Sequence, residues 1–214
     1  MLDRIFDPEN RFWTFANKMA DLVVLEFLTF VCCLPLVTVG AAFSAFWRMT
    51  LALVKDEEPR IFSGYFRTFR ERFLTGTAAW LAHLALTAFL LLDVSLALGM
   101  GTVAGAFLAG LFGALLLLLS LAGLWLYPLV GAKGLSWREA VTAASLLAVR
   151  HLFSGLLGLA LLGAALAGSF CIPYGVLFLP ALACWGTARI INRVLDRNET
   201  AEPPDDPNDA EGAL

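Results

Sequence analysis

The chain has 214 residues, 59% hydrophobic and 15% charged, with a mean hydropathy of +0.77. An average soluble domain is about 25% charged, and here the apolar residues fall in long blocks. This excludes a soluble helical core and predicts an all-α, polytopic membrane bundle. The net charge of −3 conceals a split, because six acids (Glu199, Glu202, Asp205, Asp206, Asp209, Glu211) and no base follow Arg197, leaving 15 basic against 12 acidic residues over 1–197. Residues 1–197 therefore read as a single membrane-embedded domain, and 198–214 as a disordered acidic tail. Nothing suggests nucleic-acid binding, and no nucleotide-binding glycine loop, catalytic motif or cofactor site stands out.

Residues 1–19 carry Asp3, Arg4, Asp7, Glu9, Arg11 and Lys18. The apolar core begins near residue 20, so this is a poor cleavable signal and the first span is expected to be an uncleaved anchor. Phe12, Trp13 and Phe15 suit the membrane interface. Span one, about 20–35, is short for a bilayer that asks for about 20 residues. Pro35 removes a backbone donor and should end or kink the helix. Gly40 adds a second permissive point, so an elbow is expected, with a helix restarting from Ala41 towards Lys55. The charged run Lys55, Asp56, Glu57, Glu58, Pro59 and Arg60 marks a loop. Beyond it Phe62, Phe66, Phe69 and Phe73 recur at four, three and four residues, a helical stripe. Arg60, Ser63, Gly64, Arg67 and Glu71 fall opposite, with Arg70 close by. Such a helix lies in the headgroup region, where anionic lipid attracts its arginines. The alternative is that the phenylalanines pack on the protein's own bundle.

The run CCLPLVTVGAAFSAFW, the acidic loop and the FRTFRERF segment together resemble the YesL-like family of uncharacterised bacterial integral membrane proteins (domain of unknown function 624). The resemblance falls on Leu34, Pro35, Val37, Thr38, Gly40, Ala41 and Ala42, then on Phe62, Phe66, Phe69 and Phe73. Length and span layout agree over nearly the whole chain apart from the tail. The family has no settled activity. The resemblance implies a companion of sugar-uptake systems in the bacterial inner membrane.

Span two is expected over 74–98, a turn at 99–102, span three over 103–130, then a loop and short helix to Arg150. Spans four and five follow at about 151–169 and 172–190. Basic residues gather at 55–73, 131–150 and Arg189, Arg193 and Arg197, and the turns at 99–102 and 168–173 have none. Positive-inside counting places the basic regions and the C-terminus in the cytoplasm. Five spans plus a re-entrant elbow are favoured, although this puts Arg4, Arg11 and Lys18 outside. A sixth span over 36–54 would bring them inside. Pro35-Leu-Val-Thr-Val-Gly-Ala is echoed by Pro128-Leu-Val-Gly-Ala, and Phe62-Ser-Gly by Phe153-Ser-Gly, hinting at a parallel repeat. Gly101-x-x-x-Gly105 and Ala160-x-x-x-Ala164-x-x-x-Gly168 allow close helix approach, within the bundle or against a second copy. Cys32, Cys33, Cys171 and Cys184 show no metal-ligand spacing and read as small buried hydrophobes.

The intramembrane ionisable groups are Glu26, Arg48, His83 and Asp93. Glu26 and Arg48 suit a structural clasp across the elbow, since buried charges need partners. His83 suits a hydrogen bond to a neighbouring helix, and Asp93 lies near the outer end of its span. No paired carboxylates, metal cluster or nucleophile arrangement supports an enzyme. Two readings remain: a non-enzymatic accessory to carbohydrate uptake, contacting lipid and sugar-uptake membrane subunits, or a small-solute transporter or channel.

Overall fold

The computed structural model describes residues 11–57, 59–171 and 175–201. Among them the chain forms eight α-helices: α1 (Arg11–Cys32), α2 (Val39–Val54), α3 (Ile61–Glu71), α4 (Phe73–Gly99), α5 (Val103–Pro128), α6 (Trp137–Arg150), α7 (Leu152–Cys171) and α8 (Gly175–Ala201). A 3-10 turn (Leu36–Thr38) joins α1 to α2, and a π-helical turn (Leu129–Lys133) follows α5. Four segments among the described residues are long and apolar enough to cross a membrane: Leu36–Val54, Phe73–Gly99, Val103–Lys133 and Leu152–Ser169. α1 and α8, expected as the first and fifth spans, are not among these four; α1 begins at Arg11, nine residues before the apolar core, and α8 continues to Ala201 past the expected limit at Arg197. The remainder of the acidic tail, and the first ten residues, lie outside the described residues.

The Pro35 break stands where the sequence places it. The chain turns over Cys33–Pro35, where the Thr38 hydroxyl donates to the Pro35 carbonyl at 2.7 Å. The helix then restarts at Val39, two residues earlier than expected. Trp80 of α4 holds the turn by donating its indole N–H to the Leu36 carbonyl at 2.9 Å. Trp80 lies seven residues beyond the start of α4 at Phe73, about 10 Å at 1.5 Å per residue. The turn thus meets α4 about a quarter of the way along its 27 residues.

α2 is the core of the molecule. Its apolar window is 67% buried inside the protein, against 11%, 22% and 17% for the other three candidate spans. It packs against α1, α3, α4, α5, α8 and the π-helical turn. Between helices in lipid the hydrophobic effect adds little, so close backbone approach must supply the attraction. Glycines make this approach. A Cβ on Gly40 would lie 2.0 Å from the Gly76 carbonyl oxygen of α4, and one on Gly131 would lie 2.1 Å from that of Ser44. The α4–α5 and α7–α8 hairpins complete the bundle. α5 buries Leu121 and every residue from Gly123 to Pro128, yet it leaves Val103, Phe107 and Leu111 exposed. Tertiary packing is therefore concentrated at one end of the hairpins.

The favoured topology needs one correction. Lys18 of α1 forms an ion pair with Asp56, just beyond α2, and Lys55 pairs with Asp196 of α8 at 3.5 Å. The first half of α1 therefore lies at the same end as the basic loops, not opposite them. α1 and α2 form a hairpin that leaves and returns to one end, which removes the conflict with Arg11 and Lys18. The repeat also fails in detail. Phe62 is in the short helix α3 while Phe153 is in the span α7, and no counterpart of α2 follows Pro128.

Candidate functional site at the basic end

Three ion pairs and hydrogen bonds tie distant segments into one basic surface. Besides Lys18–Asp56 and Lys55–Asp196, Arg72 donates to the Gly134 carbonyl at 3.0 Å, joining the start of α4 to the π-helical turn. Lys18 and Arg189 both lie over the Trp185 ring, at 5.7 and 5.3 Å from its centroid. These are cation–π distances.

α3 is an exposed element of this surface. Its helical period is as expected, but its buried face is not the phenylalanine stripe. Tyr65 and Thr68 are buried, and Gly64, placed on the polar side by the sequence, packs on Met49 of α2. Phe62 is 62% exposed and Phe66 49%, while Phe69 and Phe73 are half-buried. Phe69 stacks on Tyr65 with ring centroids 6.3 Å apart. Packing on the bundle thus accounts for Phe69 and Phe73 only. Phe62 and Phe66 point away from the protein beside exposed Arg67 and Arg70, as a helix seated in headgroups requires. Arg67 donates to Glu71 at 2.9 Å, and this hydrogen bond holds the Glu71 carboxyl below its ordinary range. Burial raises the Tyr65 phenol above its ordinary range.

The four intramembrane groups do not converge. The expected Glu26–Arg48 clasp does not form. Glu26 lies near Cys184 of α8, with Oε1 buried and without a hydrogen-bond partner. Arg48 lines a small cavity at the basic end with Lys133 and Asn192. Eight residues of α8 separate Cys184 from Asn192, about 12 Å, so the two charges sit at different depths. His83 packs on α5, where a Cβ on Gly123 would come within 2.7 Å of its Cε1, and its ring faces Tyr127 at 6.5 Å. Its contact is packing, with no hydrogen bond to any described residue. Asp93 is half-buried in the last third of α4.

The small-residue rows sort differently from their spacing. Gly105 does close the α4–α5 turn, against the Ala97 carbonyl. On α7, however, Gly155, Gly158 and Ala165 face the bundle, while Ala160 and Ala164 are exposed. Sequence reasoning also missed Lys133 and Asn192 as neighbours of Arg48. Only a π-helical turn stacked on α2 brings them together, and no local signal announces it.

Residues 10–94, from the start of α1 through most of α4, match the model of the family described as "Protein of unknown function, DUF624". The match bears out the resemblance read from the elbow and the phenylalanine segment, both of which lie inside it. No curated protein and no solved structure matches the chain.

Proposed function

We propose, with the match of residues 10–94 to DUF624 as the premise, that the protein is a non-enzymatic accessory component of carbohydrate uptake in a bacterial inner membrane. The resemblance to YesL-like proteins supports the carbohydrate association. The observation that carries the accessory reading is the fate of the serines along α4, α5 and α7. Ser95, Ser120 and Ser169 each donate to the carbonyl four residues back in their own helix, at 2.8–2.9 Å. They are satisfied locally rather than directed towards a path. The rest of α4, α5 and α7 presents leucine, valine and phenylalanine outward, a surface for lipid or for another membrane subunit. By positive-inside reasoning the basic end and the C-terminus are cytoplasmic, so α3 is the part such a partner or the inner leaflet meets.

The test is co-purification of the tagged protein in gentle detergent from its native membrane. Near-stoichiometric recovery of sugar-permease subunits, lost on Phe62→Ala/Phe66→Ala substitution, is the expected result. Recovery of the protein alone, or only with a second copy of itself, counts against it. The transporter reading draws on Glu26, whose buried oxygen lacks a hydrogen-bond partner. Solute flux in proteoliposomes that Glu26→Gln abolishes would establish that reading instead.

A further inference from the structure

We propose that the cavity between the end of α2, the π-helical turn and α8 binds a phosphate-bearing anionic group. The cavity measures about 240 Å³ and is lined by Arg48, Lys55, Lys133 and Asn192, with Leu51 and Leu195 on its apolar side. Glu57 is the one carboxylate among its described lining residues. Among the described lining residues three cations stand against one carboxylate, with Asp196 paired to Lys55 beside them, so the net charge favours an anion, and the residue types suit phosphate. A guanidinium offers a planar fork to two phosphate oxygens, and an ammonium acts as a compact charge with three donors. Lys55 is held by Asp196 only at 3.5 Å, with both side chains about half exposed, so it has donors left for a second anion. Asn192 adds an independent sign. Its Oδ1 is buried without a hydrogen-bond partner, and the two ends of an amide are interchangeable in assignment. Turned over, the same amide donates N–H to an anion in the cavity.

The walls are fixed before any ligand arrives. Gly131 packs against the Ser44 carbonyl, and Arg72 holds the Gly134 carbonyl at 3.0 Å, which pins the turn carrying Lys133 over α2. Such π-helical turns recur at functional sites. The volume is below the roughly 300–1,000 Å³ of pockets that enclose drug-sized ligands, so it fits a headgroup or a small phosphate ester. Basic pockets between membrane helices at headgroup level take anionic lipid. A lipid headgroup and a soluble phosphate ester present the same chemistry here.

The full-length protein in neutral detergent, titrated with short-chain phosphatidylglycerol, short-chain phosphatidylcholine or inorganic phosphate, tests this through its melting temperature. Phosphatidylglycerol is expected to raise it saturably and phosphatidylcholine is not. A rise with inorganic phosphate as well assigns the site to soluble phosphate esters, whereas a rise with the lipid alone assigns it to headgroups. Lys133→Gln, at an exposed position, should weaken the response on the order of tenfold, the loss expected for one charged hydrogen bond. Arg48→Gln/Lys133→Gln should remove it. Arg138→Gln/Arg150→Gln on α6, both exposed and outside the cavity lining, deletes equal charge elsewhere at the basic end and should leave the response unchanged. No rise with either anion, an unchanged response in Lys133→Gln, or loss only in the α6 variant would overturn the proposal.

Discussion

Gly40 and Gly76 carry the contact on which α2 and α4 depend, because the atoms facing them are backbone, together with the Trp80 Cβ, and cannot rotate away. A Cβ on Gly76 would stand 2.9 Å from both the Cα and the nitrogen of Ala41. Overpacking of this kind costs about 1–3 kcal/mol and occasionally more. Gly40→Ala should therefore lower the melting temperature in detergent and broaden elution on size exclusion. Gly163→Ala makes a matched control, since nothing lies within 4 Å of a Cβ there. It should be neutral or stabilising by up to about 1 kcal/mol through helix propensity. Equal losses in both variants would remove the close approach of α2 and α4 as a source of stability.

At the level of elements, α3 and α6 make separate predictions. Spin labels at Phe62 and Phe66 should be more accessible to dissolved oxygen, which partitions into lipid, than to a water-soluble nickel chelate. Labels at Arg67 and Arg70 should show a smaller preference or the reverse. Uniform chelate access along α3 would place it in water instead. α6 begins with a capping box, in which the Ser136 N–H donates to the Glu139 carboxylate at 3.0 Å. The bonds from Ser136 hold the Glu139 carboxyl below its ordinary range. A carboxyl depressed by folding contributes above its unfolded value, and the contribution is lost as pH falls through the folded one. Protection against hydrogen exchange in the first turn of α6, relative to the intrinsic rate at each pH, should thus fall on acidification below the ordinary carboxylate range, and Glu139→Gln should abolish that loss of protection.

For the whole molecule, the decisive relation is that Lys18, the end of α2, the start of α4, the π-helical turn and the end of α8 meet at one end. Cysteine accessibility in intact cells should place positions 57, 135 and 197 on one side and position 100 on the other. Residues 11–18 should report with the first group. Labelling of position 13 from the side of position 100 would refute the α1–α2 hairpin. The Lys55–Asp196 pair contributes little to this arrangement, since exposed pairs are worth about 0–1 kcal/mol. The buried glycine contacts and the Trp80–Leu36 hydrogen bond hold it.

Most helix boundaries were readable from hydropathy, proline and charge: the break at Pro35, the turn at Gly99–Thr102, the helical period of α3 and the basic loops. These are local properties of the chain, written in side-chain polarity and backbone freedom. What the sequence could not announce was which apolar surface meets protein and which meets lipid. In a bilayer both are greasy, so hydropathy has no contrast to report. Thus α2, read as the helix that restarts after an elbow, is the core, Ala160 and Ala164 face outward while Gly155 and Gly158 face in, and Phe62 and Phe66 part company with Phe69 and Phe73. Arg48 likewise finds Lys133 and Asn192 rather than Glu26, because depth along packed helices, not nearness to a common elbow, decides which charges meet.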